Sequence, residues 1–271
     1  MSENVIRGGA EMKRRWFNIF KSDGRAFVLA MDHGGSMNVL PDMAKPGEII
    51  KQAVTGGVDA ILTTYGIAQN FREEIGNAGL LLRMDGGTSQ LATEDAPMAN
   101  LFSVEDLVKV GADGMVCMGF PGAKFEDVTL KNVARNAAEC NKWGIVLGAE
   151  MLPRGFEKAT DGATPENIAL VSRMGAELGA DFIKTRYTGD KESFSKIVEG
   201  CYRPILVLGG EKVHTDGELL TMIKESIEAG AAGVVIGRNI WRRPNVKDIC
   251  SAIARIIHEN SSVDKALEEL L

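Results

Sequence analysis

The chain has 271 residues, 45% of them hydrophobic and 25% charged, which is the composition of an ordinary globular protein. This length fits one large domain or two small ones, and α/β barrels commonly form a single unit of about 250 residues. A formal net charge of -6 argues against a general nucleic-acid-binding protein. It does not argue against a small anionic ligand, which responds to the local charge of its pocket.

Cysteine usage and hydropathy indicate the compartment. The four cysteines are too widely spaced for a CxxC pair, which disfavours a disulfide framework or a cysteine zinc site and suits a reducing cytoplasm. The start of the chain lacks the apolar core of a secretory signal, and no apolar run reaches membrane-spanning length. We therefore expect a soluble cytoplasmic protein with no nucleic-acid or membrane partner.

Short apolar strands alternate with amphipathic helices along the chain. The predicted strands cover residues 26–31, 59–63, 80–84, 114–118, 145–150, 181–185, 205–208 and 233–236. The predicted helices cover residues 46–55, 67–75, 104–110, 127–142, 165–178, 191–199, 216–229 and 246–259. Continuously apolar strands are typical of a parallel sheet covered on both faces. Eight strand–helix units in one domain predict a (β/α)8 TIM barrel, with a doubly wound open sheet as the alternative.

Two segments lie outside this alternation. Residues 12–20 predict an extra amphipathic helix that plugs the bottom of the barrel, so we divide the chain into an N-terminal segment, 1–25, and a (β/α)8 barrel, 26–271. Residues 85–102 form the longest irregular stretch and follow the third strand. An active-site lid and simple disorder are both open for this loop.

Two kinds of short sequence mark helix ends: one N-terminal capping sequence and a recurring three-residue phrase that begins with glycine. Thr164-Pro165-Glu166 has the N-cap, first-turn proline and early acid of a helix start. Four glycines suit left-handed C-terminal caps, each followed by a tight turn into the next strand at the stable face of a barrel. These phrases are Gly57-Val58-Asp59, Gly111-Ala112-Asp113, Gly179-Ala180-Asp181 and Gly230-Ala231-Ala232.

Lys184 closes the sixth predicted strand, and lysines are rarely buried without a partner. An amine drawn into a partly apolar pocket loses basicity, because desolvation disfavours its charged form. It can then attack a carbonyl and form a Schiff base. A lysine that turns outward or pairs with a carboxylate is the alternative.

Asp32 and His33 end the first strand, at the barrel edge where catalytic residues gather. Asp32 could take a proton from a substrate hydroxyl or orient the lysine, with His33 beside it; the alternative is a loop cap and a hydrogen-bonded histidine. His214 and His258 fit structural roles. Because no histidine pair or carboxylate cluster has ligand spacing, we expect no metal site and no cofactor, and carbonyl activation by an amine instead.

Glycine-rich loops follow the last two strands. Gly209-Gly210 and Gly237 would let backbone N–H groups approach a phosphate, and the N-terminus of the following helix would add positive dipole character. Lys212 and Arg238 would supply charge, Arg238 as a bidentate fork. Tight turns also use paired glycines, but both loops at these positions predict a phosphate site.

Five motifs occur in the order found in a known family. They are Asp32-His33-Gly34, Pro153-Arg154-Gly155, Ile183-Lys184-Thr185-x-Tyr187-Thr188-Gly189-Asp190, Gly209-Gly210 and Gly237-Arg238-Asn239-Ile240-Trp241. With them the chain, from Gly9 onward, resembles the archaeal-type class I fructose-bisphosphate aldolases. That group also contains the aminodideoxyheptulosonate synthases and the autoinducer-2 thiolase.

The resemblance implies a (β/α)8 barrel in which Lys184 forms the Schiff base and Asp32 is the acid/base or positioning carboxylate. It also implies that Arg238 and the loop glycines hold the substrate phosphate, with Arg154 reaching a second one. Members of the family usually assemble as large homo-oligomers, often decamers, so we expect a homo-oligomer here.

The sequence departs from the family at two positions. In the family's aldolases a proton-transferring tyrosine precedes Pro-Arg-Gly, and here that place holds Leu152; two residues earlier, Glu150 stands where they tend to carry tryptophan. Residues two apart on a strand face the same side, so Glu150 would point into the pocket and could transfer protons in place of the tyrosine. It could also signal a different substrate, or pair with Arg83 or Arg154 and only hold shape.

Together these features predict a metal-independent class I aldolase, a lyase acting on a phosphorylated ketose or the matching aldehyde. The first candidate reaction cleaves fructose 1,6-bisphosphate to dihydroxyacetone phosphate and glyceraldehyde 3-phosphate. A transaldolase- or thiolase-type relative that uses the same lysine on another sugar phosphate is one alternative. A sugar-phosphate sensor that binds without turnover is the other.

Overall fold

A computed structural model describes residues 13–35, 38–94, 96–155, 162–210, 215–268 and 270. In these residues eight parallel strands close into a barrel and two more form a small antiparallel hairpin. The strands are β1 (Ala26–Met31), β2 (Ala60–Thr63), β3 (Gly79–Arg83), β4 (Asp85–Gly86), β5 (Ala99–Asn100), β6 (Gly114–Gly119), β7 (Val146–Met151), β8 (Phe182–Thr185), β9 (Ile205–Leu208) and β10 (Gly233–Ile236). Around the barrel their order is β1-β10-β9-β8-β7-β6-β3-β2.

Helices surround this barrel. They are α1 (Trp16–Ile19), α2 (Pro46–Thr55), α3 (Tyr65–Asn70), α4 (Arg72–Ile75), α5 (Val104–Val110), α6 (Glu126–Trp143), α7 (Pro165–Glu177), α8 (Lys191–Gly200), α9 (Asp216–Glu228), α10 (Arg238–Trp241), α11 (Val246–His258) and α12 (Val263–Glu268). The (β/α)8 barrel prediction is confirmed, and the open-sheet alternative is wrong because β1 pairs with both β2 and β10. None of the described helices is long and apolar enough to cross a membrane.

Alternate residues of each strand face the barrel interior, as the two-residue period of a strand requires. The inward side chains form one buried apolar cluster that includes Val28, Leu62 and Phe182. Gly148 makes room for this packing: a Cβ there would lie 2.2 Å from the ring of Phe182. The outward side chains pack under the helices in a second, larger cluster, where Cys117 is buried as a small core side chain.

The N-terminal helix lies against the inner cluster. Trp16, Ile19 and Phe20 are buried with the inward-facing strand residues, and the ring of Phe20 meets that of Phe182 edge-on at 5.8 Å. The predicted extra helix is therefore present over Trp16–Ile19 within the described part of the chain. It covers the end of the barrel opposite the strand ends that carry the motifs.

The helix predicted over residues 67–75 is wrong in one respect. It is two helices, α3 and α4, because Phe71 leaves helical geometry (φ -122°, ψ 38°). The ring of Phe71 lies against Gly47 of α2, where a Cβ would approach it to 2.7 Å. The hairpin β4–β5 and the short helices α10 and α12 are further elements that the periodicity of the sequence did not reveal.

The predicted helix ends are confirmed. The four phrase glycines all have left-handed backbones, with φ between 90° and 102°. The hydroxyl of Thr164 accepts a hydrogen bond from the N–H of Asn167, with Pro165 in the first turn.

The three aspartates of the recurring phrase join neighbouring strands at the N-terminal end of the barrel. Each carboxylate accepts a hydrogen bond from a backbone N–H of the preceding strand. These contacts are Asp59 with Phe27 (2.6 Å), Asp113 with Leu80 (2.9 Å) and Asp181 with Leu147 (2.7 Å). Two of these aspartates also bind side chains of the N-terminal segment: Lys13 binds Asp181 at 2.6 Å, and Asn18 binds Asp113 at 2.7 Å. The repeated phrase therefore has a structural role, because its aspartates hold neighbouring strands together.

His258 has a structural place at the same end. Its ring nitrogens lie 2.7 Å from Asp23 and 3.0 Å from Asp59. Burial works to lower the pKa of His258, but the bonds to Asp59 and Asp23 outweigh it and raise the pKa above its ordinary value. His214 lies outside the described residues.

Candidate active site

A cavity of about 120 Å³ opens at the C-terminal ends of the barrel strands. Eight of the ten residues predicted for the site line it: Asp32, His33, Glu150, Lys184, Gly209, Gly210, Gly237 and Arg238. The parallel strands of a barrel bring their carboxyl ends to one rim, which is why positions so far apart in sequence meet here.

Lys184 lies at the floor of this cavity. It faces inward from β8, directly beside Glu150 of β7 in the strand register. The Lys184 Nζ is 2.9 Å from Glu150 Oε2, and each side chain is only 7% exposed. The outward-turning alternative for Lys184 is wrong, and the lysine has a carboxylate partner inside the cavity.

Arg83, on β3, connects the acidic groups of the site. Its guanidinium lies 2.7 Å from Asp32 through Nε, 2.5 Å from Glu150 through one terminal nitrogen, and 3.5 Å from Asp85 through the other. All four side chains are buried. Glu150 thus contacts Arg83 and Lys184 together, while Arg154 is not among its ion-pair partners in the described residues.

These contacts set the protonation of the carboxyl groups. Burial works to raise the pKa of Asp32, but Arg83 and Lys184 outweigh it, and the pKa falls to about 2. The pKa of Glu150 is likewise lowered, because Lys184 and Arg83 overcome the effect of burial. Both groups are therefore carboxylates at neutral pH and can accept protons. Burial raises the pKa of Asp85, which also accepts a hydrogen bond from the Met118 N–H.

His33 sits at the rim as a neutral ring. Burial is the main reason that its pKa is lowered, with the nearby charge of Asp32 acting in the opposite direction. The ring meets Trp241 edge-on at 5.6 Å. Its Nδ1 is buried without a hydrogen-bond partner among the described residues. A buried nitrogen of this kind normally needs a partner, so a bound polar group could satisfy it.

The two glycine loops lie side by side across β9 and β10. Asn239 donates a hydrogen bond to the Gly209 carbonyl at 2.8 Å, and Arg238 donates one to the Gly210 carbonyl at 3.2 Å. Gly237 cannot carry a side chain, because a Cβ would lie 2.5 Å from the Ala30 carbonyl oxygen. The helix after Gly237, α10, has only four residues. A helix this short adds only a small dipole charge at its N-terminus, so backbone amides and Arg238 would have to bind an anion.

Arg154 lies in a different cavity. Its backbone is left-handed (φ 61°), its side chain is exposed, and it lines a neighbouring space of about 500 Å³ together with eight described residues of the long loop, from Thr88 to Met98. The apolar cluster of Met98, Met118, Phe120 and Leu152 lies between the two spaces. The structure therefore does not bring Arg154 into the cavity of Lys184. Lys212 lies outside the described residues.

Three polar residues of this cavity have no predicted place in the site. Arg83 is predicted only as a possible partner of Glu150. Arg186 is the unspecified residue between Thr185 and Tyr187 in the Lys184 motif, and Asn239 has no predicted role. The two-residue period of a strand was the available signal: Arg186 lies two residues beyond Lys184, on the same face. In the described ranges, the cavity included, no group of three or more His, Cys, Asp or Glu side chains could hold a metal ion.

Comparison with known proteins connects this geometry to a family. Residues 26–243 match the model of the DeoC/LacD family aldolases. The chain is 32% identical over 264 residues to a class 1 fructose-bisphosphate aldolase from Thermoproteus tenax, covering 95% of this chain and 99% of that protein. It is 29% identical over 250 residues to a 2-amino-3,7-dideoxy-D-threo-hept-6-ulosonate synthase from Halobacterium salinarum, covering 92% and 93%.

A solved structure agrees. A Schiff-base-forming fructose-1,6-bisphosphate aldolase, studied through its reaction intermediates, superposes with a TM-score of 0.83 at 31% identity and covers 92% of this chain and 100% of that one. The predicted resemblance to the archaeal class I aldolases is confirmed.

Proposed function

Because this chain belongs to the DeoC/LacD aldolase family, we propose that it is a class I aldolase in which Lys184 forms a Schiff base with a phosphorylated ketose. The observation that carries the proposal is the buried pair of Lys184 and Glu150, 2.9 Å apart at the floor of the cavity. A lysine held this way next to a proton acceptor has what a nucleophilic amine needs.

Glu150 is the first proton acceptor of the proposed reaction. As a carboxylate in contact with Lys184, it can take a proton from the ammonium group and leave a neutral amine. The amine nitrogen attacks the carbonyl carbon of the ketose, and the carbonyl oxygen becomes a hydroxyl group. Glu150 then gives its proton to that hydroxyl group, which leaves as water, and a positively charged iminium remains on Lys184.

The iminium withdraws electrons from the carbon–carbon bond to be broken. A carboxylate removes the proton of the β-hydroxyl group, that oxygen forms an aldehyde carbonyl, and the electrons of the broken bond enter the iminium to give an enamine. Protonation of the enamine carbon and hydrolysis then release the shorter ketone and the free amine. Either Asp32 or Glu150 could serve as the base, since both are held ionised in the cavity.

Arg83 acts in this proposal as a positioning residue. It contacts Asp32 and Glu150 at once, and both carboxylates lie 2.5 Å from the same terminal nitrogen of its guanidinium. Because the group is 2% exposed, its charge is little screened by water. It therefore favours ionised acids at the point where the reaction needs proton acceptors.

Fructose 1,6-bisphosphate is the first candidate substrate. The relatives at 31–32% identity act on this sugar by name, and Arg238 with the glycine loops offers an anion site beside Lys184. Residues that fix one end of a substrate convert binding energy into orientation of the reacting carbonyl.

A second candidate is a carbon–carbon-bond reaction on another sugar phosphate. Leu152 occupies the position of the proton-transferring tyrosine expected from the resemblance, and Glu150 contacts the lysine directly. A proton acceptor at residue 150 instead of residue 152 suits a substrate whose reacting hydroxyl group lies at a different position. The relative named as a heptulosonate synthase indicates that substrates differ among related chains.

The test is a cleavage assay on a panel of phosphorylated ketoses, with aldehyde release followed by a coupled dehydrogenase. We expect fructose 1,6-bisphosphate to be cleaved at the same rate with and without a metal chelator. Cleavage of another ketose only would favour the second candidate. Tight binding of ketose phosphates with no cleavage and no lysine adduct would contradict both and leave a sugar-phosphate sensor.

A further inference from the structure

Arg186 carries a charge that nothing in the described structure neutralises. Its side chain lines the cavity of Lys184 and is partly buried. Its Nε is fully enclosed and makes no hydrogen bond, and no described residue forms an ion pair with its guanidinium. An enclosed guanidinium nitrogen without an acceptor is costly, which suggests that this arginine is built for a partner that arrives with the ligand.

The strand register puts Arg186 beside the glycine loop. β8 pairs with β9 through Lys184 with Leu206 and Thr185 with Val207. Continuing the register by one residue sets Arg186 against Leu208, the residue before Gly209. On the other side of the same loop, the helix after β10, α10, begins with Arg238, whose guanidinium contacts the Gly210 carbonyl at 3.2 Å. Two arginines therefore flank one pair of glycines.

The acids of the cavity are already engaged. Among the described lining residues the carboxylates are Asp32 and Glu150, and these contact Arg83 and Lys184. Within the described residues no acid is left to pair with Arg186, so its charge is available to an anion from outside. The whole cavity measures about 120 Å³, so Arg186 and Arg238 border the same small space.

We propose that Arg186 is a specificity-determining residue, which holds one phosphate group of the substrate together with Arg238 above the Gly209-Gly210 loop. This inference rests on the proposed function and assigns to it a phosphate clamp made of two guanidinium groups. Each guanidinium can donate two parallel N–H bonds to phosphate oxygens, a geometry that arginine matches and lysine does not. A ketose without a phosphate would leave Arg186 unpaired and would be bound weakly.

The first test measures binding of inorganic phosphate by calorimetry, which needs no turnover. Arg186→Met keeps the length of the side chain but removes the charge, and we expect it to weaken phosphate binding roughly 10- to 100-fold, the usual effect of losing a charge-assisted hydrogen bond. Arg186→Lys should recover part of the affinity. Arg203→Met is the matched control, because Arg203 also has a buried, unbonded Nε but lines neither described cavity; its affinity should equal that of the native protein.

A double-mutant cycle distinguishes one phosphate from two anions. If Arg186 and Arg238 hold the same phosphate, the losses in Arg186→Met and Arg238→Met should be non-additive in the double variant, as for other groups in contact. Additive losses would put Arg186 on a separate anionic group and overturn the proposal. An unchanged affinity in Arg186→Met, or no phosphate binding by the native protein, would also overturn it. A failure of the aldolase proposal would show instead as a missing Lys184 adduct, whatever the phosphate affinity.

Discussion

The two ends of this barrel use acidic side chains in opposite ways. At the N-terminal end, Asp59, Asp113 and Asp181 each accept a hydrogen bond from the backbone of the preceding strand, and each has its own polar or cationic partner. At the C-terminal end, Asp32 and Glu150 share a single guanidinium and point into a cavity.

The difference separates stability from chemistry. An acid bonded to the backbone fixes strand positions and has no spare lone pair aimed at a ligand. The acids that share one arginine face a cavity instead, and their lowered pKa values keep them ionised at neutral pH. We therefore expect changes at the C-terminal end to alter rates and changes at the N-terminal end to alter stability.

The largest expected effect is that of Glu150→Gln. The amide keeps the size of the side chain but cannot accept the lysine proton, so kcat should fall by roughly 10²- to 10⁴-fold. Imine formation should persist on long incubation, because water can slowly remove the proton. Steady-state kinetics with a coupled assay measures the effect, and circular dichroism verifies the fold. Native rates would remove Glu150 from the mechanism.

The next effect is a shift of the pH profile in Arg83→Lys. A lysine retains the charge but is too short and too compact to contact Asp32 and Glu150 together, so the pKa values of both acids should rise toward their ordinary range. These acids work in the ionised form, which is lost as the pH falls through the pKa. The acidic limb of kcat/KM should therefore move to higher pH in the variant.

A purely structural role of Arg83 would lower the amount of folded enzyme without moving that limb. An unchanged limb in Arg83→Lys would thus contradict the positioning role. Arg242→Lys, at an arginine that binds Asp42 outside the cavity, is the control and should have the native profile.

A smaller effect, on stability alone, is expected for Asp181→Ala. The N–H of Leu147 loses its acceptor and Lys13 loses its partner, which should cost about 1–3 kcal/mol of the free energy of unfolding. Denaturant titration measures this cost, and kcat of the folded variant should be unchanged. Asp127→Ala, which removes only an exposed pair with Lys131, should cost less than about 0.5 kcal/mol. A fall in kcat with unchanged stability would break the comparison of the two ends.

The smallest effect concerns His258 at the N-terminal end. Its pKa is raised in the folded protein above the ordinary value of 6.5, so its bonds stabilise the fold fully below that value and less as the pH rises through the folded pKa. Native Tm should therefore fall between about pH 6 and pH 9 by more than the Tm of His258→Gln. Parallel melting curves across this range would contradict the assignment.

Much of this fold follows from local pattern. Continuous apolar runs located the eight strands to within one residue at each end, because a strand buried on both faces leaves no polar alternation. The glycine caps followed from the left-handed backbone that a helix end requires. Phe71 could not be predicted as a break, since it depends on packing against Gly47 of another helix.

The sequence predicts which residues form the candidate site better than it predicts the contacts between them. The rule that barrel strands end at one rim found Lys184, Glu150 and Asp32 from sequence. The link through Arg83 depends on side-chain directions from three strands, which no single segment encodes. Arg154 lies in a neighbouring cavity, because its left-handed backbone and the apolar wall beside Leu152 direct it there, and its contact with a second phosphate stays a prediction. The lid role of residues 85–102, the homo-oligomer and the cytoplasmic location stay predictions.

The central claim is that Lys184 bonds covalently to a ketose carbonyl. The most direct test is to incubate the protein with fructose 1,6-bisphosphate or dihydroxyacetone phosphate, reduce with borohydride, and map the product by peptide mass spectrometry. We predict one reduced adduct on the peptide that contains Lys184, and none in Lys184→Met. An adduct on a different lysine, or no adduct with any phosphorylated ketose of the panel, would contradict the account.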